Sequence, residues 1–248
     1  MRPFITTMSE EFSEGGQPIY RHSNPEQPEW IPADMSGSSM EMIDQHIQAH
    51  IGKVENVFHE VLSDIVHIDV HVVPPTPDRF CYTLITSGMS DLPMNTPAGL
   101  EHFRYAELML CLPALWPMGN DAFKLPENYW PIRGLKMLAR FPHQYKTWLG
   151  FGHTLPNGNP QVPFASNTKL DGWMLAHPLT VSKDFWKLQA GEDKLIWFYS
   201  PLPLYPDEME LKLKTNAQTI IAGFEKSKYS ELINPTRKSI LSKPWWKF

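Results

Sequence analysis

The sequence predicts an α+β fold, with a mixed, mostly antiparallel β-sheet packed against three main helices. Three observations carry that prediction. Apolar residues recur at helical spacing in only three segments, so helices do not alternate with strands as a doubly wound parallel sheet requires. Between those segments lie short β-type runs, among them HIDVHVV, RFCYTLITSG and RYAELMLCLP. The 24 prolines are spread along the chain, which implies many short elements joined by rigid turns. With 248 residues, 42% hydrophobic and 12% aromatic, the chain can bury a sizeable core.

Residues 1–36 mix Ser, Glu, Gly and Pro without periodicity and read as an extended N-terminal arm, with Phe4, Ile5, Tyr20, Trp30 and Ile31 as its anchoring residues. Residues 37–248 then read as a single domain. Its first helix has Ser39 as the cap, Met40, Ile43, Ile47 and Ile51 on one face, and Gly52 at its end. His46 and His50, four apart, read as solvent-side residues of that helix. VENVFHEVLS and IVHIDVHVV make an antiparallel pair, and in the second run Ile68, Val70 and Val72 alternate with His67, Asp69 and His71. Such alternation sends one face to a core and leaves the other for chemistry or contact.

PPTPDR is a turn, RFCYTLITSG a strand, GMSDLPMNTPAGLEH a loop, and RYAELMLCLP a strand covered on both faces. The second helix has Pro131 in its first turn, an apolar stripe of Ile132, Leu135, Met137, Leu138 and Phe141, and Pro142 at its end. LGFGHTLPNGNPQVPF is a connection, and LDGWMLAHPL and KLIWFYSPLPL are strands separated by the polar excursion SKDFWKLQAGED. The third helix starts at Pro206 and Asp207 and buries Leu211, Ile220, Ile221 and Phe224. The final RKSILSKPWWKF docks its two tryptophans on the domain.

A net charge of −5 excludes a general nucleic-acid binder, which needs a concentrated basic face. No apolar run approaches bilayer length and the N-terminus lacks the apolar core of a secretory signal, so a cytoplasmic location is the default. Cys81 and Cys111 lie in apolar runs and read as buried free thiols in settings that activate no nucleophile. Phosphate loops are absent: Gly150-Phe-Gly152-His lacks the third glycine of a dinucleotide fingerprint. Ser87-Gly88-Met89-Ser90-Asp91 resembles a nucleophile elbow only superficially, having one glycine and leading into a proline loop.

One pattern suits a metal. His67, Asp69 and His71 share a strand face at a spacing of about 7 Å, and His/Asp sets hold Zn²⁺ or Fe²⁺. A metal-dependent hydrolase or oxygenase on that face is the alternative function; a polar face with Asp69 bonded to a histidine is the simpler reading. His59 and Glu60 on the preceding strand would join the set if they face the same way. The aromatics Tyr129, Trp130, Tyr145, Trp148, Phe151, Trp173, Trp186, Trp197, Phe198 and Tyr199, beside Arg133, Arg140 and His143, divide between core filling and interface anchoring.

YTLITSGMSDLP followed by YAELMLCLP resembles the Suppressor of fused family. The matching positions are Ser87, Gly88, Met89, Ser90 and Asp91, then Tyr105, Glu107 and Leu108. HIDVHVVPP, VFHEVLSD and YWPIRGLKMLARFPHQYKTWLGFGHTLPNG resemble its bacterial branch, and together the blocks cover roughly residues 38–205. The resemblance implies the fold of the animal protein's N-terminal domain and a protein-binding role, without catalytic residues or cofactor. For a bacterial member it implies an immunity-type inhibitor that neutralises a toxin, to which the chain's acidic charge is suited by electrostatic steering. The partner is then expected near the loop after the Ser-Asp turn, at Asp91, Leu92, Met94, Glu101, His102 and Arg104, with Trp130 and Arg133 on the helix.

Overall fold

The computed structural model describes residues 11–22, 39–59 and 66–242. Its frame is one eight-stranded mixed sheet. The first four strands are β1 (Asn56–Phe58), β2 (Asp69–Val73), β3 (Cys81–Ser87) and β4 (Tyr105–Pro113), and they form an antiparallel meander. The others are β5 (Thr154–Pro156), β6 (Gly172–Ala176), β7 (Lys187–Gly191) and β8 (Lys194–Leu204). They give the order β1-β2-β3-β4-β8-β6-β5, with β7 also against β8. The β4–β8 pairing is parallel, from Tyr105↔Ile196 to Leu108↔Tyr199, and the other pairings between named strands are antiparallel.

Beyond Leu108 the strands β4 and β8 separate, and a late segment enters the fork. Cys111 N–H donates to Glu231 O (3.2 Å) and Ile233 N–H to Cys111 O (2.8 Å). The buried Glu231 carboxylate accepts from Leu179 N (3.1 Å), Thr180 N (2.9 Å) and Thr180 Oγ1 (2.6 Å).

Among the described residues four α-helices cover the sheet: α1 (Met40–His50), α2 (Pro126–Gln144), α3 (Pro206–Lys214) and α4 (Ala217–Ser227). On one face Val70, Val72, Leu84, Leu108 and Leu110 pack with Ile132, Leu135 and Leu138 of α2. On the other, Val73, Ile85, Met109 and Phe198 pack with Ile43 and Ile47 of α1 and with Phe185. Each fully buried isoleucine of α1 contributes roughly 1.5–3 kcal/mol. A third cluster joins Met174, Leu202 and Leu204 to Met209 of α3 and Ile220 and Phe224 of α4.

The α+β class and the mixed, mostly antiparallel sheet agree with the sequence reading; several details do not. The single helix expected after Pro206 is two, because the chain breaks at Thr215 and Asn216 restarts it, its side chain accepting from Thr219 N (3.0 Å). The second helix begins at Pro126, not Pro131, and runs through Pro142 to Gln144. Pro131 is tolerated within it because the Glu127 carbonyl, which a residue with an N–H at that position would bond, accepts from Asn167 Nδ2 (3.1 Å). Gly134 is fixed there by close approach: a Cβ would lie 2.4 Å from the Trp173 ring. The polar excursion contains an edge strand, β7, and the glycine-rich connection contains β5.

Strand β2 is buried along its whole length, so its polar face is not bare as its alternation suggests: α1 covers it at His71, and the side chains of His59 and His67 cover it at Asp69. Residues 60–65, and with them Glu60 and the end of VENVFHEVLS, lie outside the described residues, as do Phe4, Ile5, Trp30, Ile31 and the tryptophans of the C-terminal tail.

The ends that are described dock on the body. Gln17 Nε2 donates to Thr215 O (2.8 Å) and Gly15 N to Leu213 O (2.8 Å), which satisfies carbonyls at the end of α3. The half-buried Tyr20 precedes His22, whose ring lies 5.3 Å from Phe141 and 5.4 Å from Tyr145. Arg237 forms a bidentate pair with Glu208, donates to Pro203 O (2.7 Å), and lies among the rings of Tyr205, Phe224 and Tyr229. Among the described residues no helix is long and apolar enough to cross a membrane.

Candidate functional site

The Ser-Gly-Met-Ser-Asp stretch is a structural joint. β3 ends at Ser87, and Gly88 turns the chain with φ +102°, where a Cβ would sit 1.8 Å from His67 O. Only glycine fits both the left-handed backbone and that approach. Met89–Asp91 then form one 3-10 turn. Ser90 donates to Glu107 Oε1 through its N–H (2.8 Å) and its hydroxyl (2.6 Å), and Thr86 Oγ1 donates to Oε2 (2.5 Å). Thr86 Oγ1 in turn accepts from Leu108 N (2.8 Å).

Glu107 is fully buried, and desolvation pushes its carboxyl up to about 7 even though the Ser90 and Thr86 donors act to lower it. Met89 O accepts from His143 Nε2 of α2 (2.8 Å), and Asp91 Oδ1 accepts from Ser39 N at the start of α1 (3.3 Å). The motif therefore ties β3, β4, α1 and α2 together. The sequence displayed both halves, Ser-Asp and Tyr-x-Glu-Leu; it did not display that Glu107 receives the serine.

The expected partner residues divide into two groups. Leu92, Glu101 and His102 are exposed and Arg104 is half-buried, all on the stretch leading into β4. Asp91 is half-buried, and desolvation raises its carboxyl. Met94 is 4% exposed, with its Sδ accepting from Leu149 N (3.4 Å). Trp130 is 1% exposed and stacks on Phe164 at 5.0 Å, so it offers a partner no surface. Arg133 is exposed and donates to Phe164 O (2.8 Å), placing it with Trp130 on α2 rather than with the loop.

The aromatics sort by exposure. Trp173, Phe198 and Tyr199 are core residues like Trp130. Trp148, Phe151, Trp186 and Trp197 are half-buried; Trp148 and Trp197 lie beside the loop, and Phe151 and Trp186 pack on His177 next to Trp197. Trp197 Nε1 donates to His102 O (2.9 Å), and Phe103 lies 5.1 Å from the Trp197 ring and 6.5 Å from Trp148. Lys187 Nζ stands 4.3 Å over Trp197. His177 continues the row, at 5.9 Å from Trp197, 4.4 Å from Trp186 and 5.1 Å from Phe151. Its Nδ1 is buried without a partner, and desolvation lowers its pKa. Next to it opens a cleft of about 400 Å³ lined by Phe151, His177, Leu179, Trp186, Ile221 and Glu225.

The expected His67, Asp69 and His71 set does not converge. His71 shares a hydrogen bond with Ser87 Oγ (2.9 Å) and lies 3.7 Å from Asp44 of α1, because both faces of β2 are covered. Burial lowers its pKa. His59 takes its place: His59 Nδ1 is 3.0 Å from Asp69 Oδ2, and His67 Nε2 is 3.0 Å from Asp69 Oδ1. Nor is His46 a solvent-side residue, since its Nε2 donates to Phe185 O (3.0 Å) and its ring stacks on Phe185 and Phe198.

Cys81 and Cys111 are buried and free as expected. Coupling to the neighbouring Cys111 thiol, with the Arg79 charge beside it, lowers the Cys81 pKa against the effect of burial. Cys111 is pushed up in exchange.

These features define an α+β scaffold with a mixed sheet covered on both faces and a signature motif spent on holding it together. Its residues 64–238 match the family model described as Suppressor of fused protein (SUFU), well over half of the chain. The chain belongs to the Suppressor of fused family.

Among solved structures it is similar to a Suppressor of fused homologue from Neisseria gonorrhoeae, with 15% identity over 82% of this chain and 97% of that one and a TM-score of 0.58. It is also similar to a chain of the Sufu-Fu complex, with 15% identity over 82% and 93% and a TM-score of 0.57. Drosophila Suppressor of Fused matches with 14% identity and a TM-score of 0.55 over 87% of this chain, which spans 52% of that protein. At these identities the likeness is one of fold. No curated protein matches the chain.

Proposed function

We propose that this chain is a non-enzymatic protein-binding domain that acts in the cytoplasm, and that its partner is a toxin which it neutralises by holding it on the Trp197 face. The observation that carries the binding role is the row Trp148, Phe103, Trp197, His177 and Trp186, half-buried and continuous with the exposed His102. Rigid aromatics with one face wet and a cation beside them supply large contact area at low entropic cost, which is the chemistry of interface hot spots. A relative of the same fold occurs in a complex named Sufu-Fu, which supports protein binding as the mode. The net charge of −5 favours a basic partner.

The test titrates the purified chain with the product of each gene adjacent to its own. Saturable one-to-one binding that suppresses the product's toxicity is expected, and Trp197→Ala should weaken it at least tenfold, about 1.4 kcal/mol. If no neighbouring product binds, the toxin assignment fails. Binding that ignores Trp197→Ala would move the interface to another face.

A further inference from the structure

The geometry points to a divalent transition-metal site formed by His59, His67 and Asp69, independent of the partner-binding role. Sheet register builds it. β1 pairs with β2 through Val57↔His71 and Phe58↔Val70, so the next step of the same antiparallel register brings His59 opposite Asp69 on one face. His67 precedes Asp69 by two residues, the period that returns a side chain to the same side.

One ligand atom from each residue (His59 Nδ1, His67 Nε2 or their ring partners, and an Asp69 oxygen) lies within 4.8 Å of the others. Each imidazole nitrogen stands 3.0 Å from a different Asp69 oxygen. Zn–N and Zn–O bonds of about 2.0–2.2 Å place tetrahedral ligands about 3.3 Å apart. An ion would therefore spread each nitrogen–carboxylate contact by a few tenths of an ångström and draw the ligand atoms, which all lie within 4.8 Å of one another, toward a common spacing.

Burial is graded in the way such a site needs. The Asp69 side chain is 2% exposed, His67 27% and His59 65%. The carboxylate is fixed and the histidines face outward, so an ion can enter from solvent and keep a coordination position open. Two imidazoles and one carboxylate suit Zn²⁺, Co²⁺ or Fe²⁺ better than Ca²⁺ or Mg²⁺, which prefer all-oxygen shells. Asp91 and Lys136 lie close enough to act electrostatically on Asp69, one charge of each sign, so the surrounding field neither builds nor forbids the site.

The experiment uses the full chain without a histidine tag, stripped with chelator, and titrates Zn²⁺ alone by calorimetry, with Co²⁺ absorption as a second reading. The expected result is one equivalent bound, with visible Co²⁺ bands of a low-coordinate nitrogen/oxygen site. Affinity should fall at least tenfold in His67→Ala and in His59→Ala; the latter is exposed and leaves folding intact. A His50→Ala variant, which breaks a second close histidine pair at an exposed position (His46 and His50 ring centroids 4.5 Å apart), should bind as the parent does. Absence of saturable binding at one equivalent overturns the proposal, as does binding unchanged in His59→Ala or lost in His50→Ala.

Discussion

Glu107 on β4 and Asp69 on β2 are both carboxylates buried in one sheet, and their surroundings divide the labour of the molecule. Glu107 is closed in by two hydroxyls and a backbone amide, all interior, and has no route to solvent. Asp69 is held by two imidazoles that reach the surface. The first arrangement fixes a joint and leaves the acid titrating near neutrality; the second can exchange its partners for an ion. The same functional group is structural or available according to whether its donors are buried with it.

The sharpest way to break the closed side is Gly88→Ala. A Cβ within bonding range of His67 O, at a left-handed φ, should cost about 4 kcal/mol or prevent folding altogether; urea denaturation reads the loss. Next is Glu107→Gln. At pH 5 Glu107 is protonated, and its hydroxyl oxygen can still accept from Thr86 where an amide NH2 cannot, so a loss of about 2 kcal/mol is expected.

The pH dependence separates the closed carboxylate from the rest. Glu107 titrates at about 7 in the folded chain against an ordinary 4.5, so the native state binds its proton more tightly. Its contribution is complete below pH 4.5 and is lost as the pH rises through 7, with an amplitude of roughly 3 kcal/mol. His153 runs the other way: burial, with Lys212 nearby, takes it down to about 4 from 6.5, and its contribution is lost as the pH falls through that interval. The two offset each other in the parent. Urea midpoints of parent and Glu107→Gln at pH 5 and pH 8 should therefore differ more at pH 5, and an equal gap at both would refute the assignment.

On the open side the effects shrink. Asp69→Asn retains the shape and one acceptor and should cost about 1 kcal/mol. His59→Ala should leave the urea midpoint within about 0.5 kcal/mol of the parent. A large loss there would mean that the pair is structural and the contrast with Glu107 false.

Much of the scaffold was legible because period-two alternation and proline turns depend on local rules. The Ser-Gly-Met-Ser-Asp and Tyr-x-Glu-Leu blocks identified the family before any contact was known. What escaped was set by partners distant in sequence. His71 looks like a ligand until α1 covers it, and an apolar-polar alternation does not tell solvent from a second core. Trp130 beside Arg133 has the composition of an interface, yet its ring meets Phe164 across the core. Strand β7, KLQAG, lacks β-branched residues and exists because β8 offers it an edge. The break between α3 and α4 had a readable sign in Asn216, a strong cap followed by Thr219, which the continuous apolar stripe masked.

The fork between β4 and β8 also bears on the order of synthesis. The meander from β1 to β4 is made of neighbours in sequence and can pair early. Tyr105 must wait for Ile196, and Cys111 for Leu232, before the outer edge of β4 is covered. Until then a strand of the composition YAELMLCLP presents bare amides and carbonyls on a nascent chain, the condition under which sheets pair with the wrong molecule.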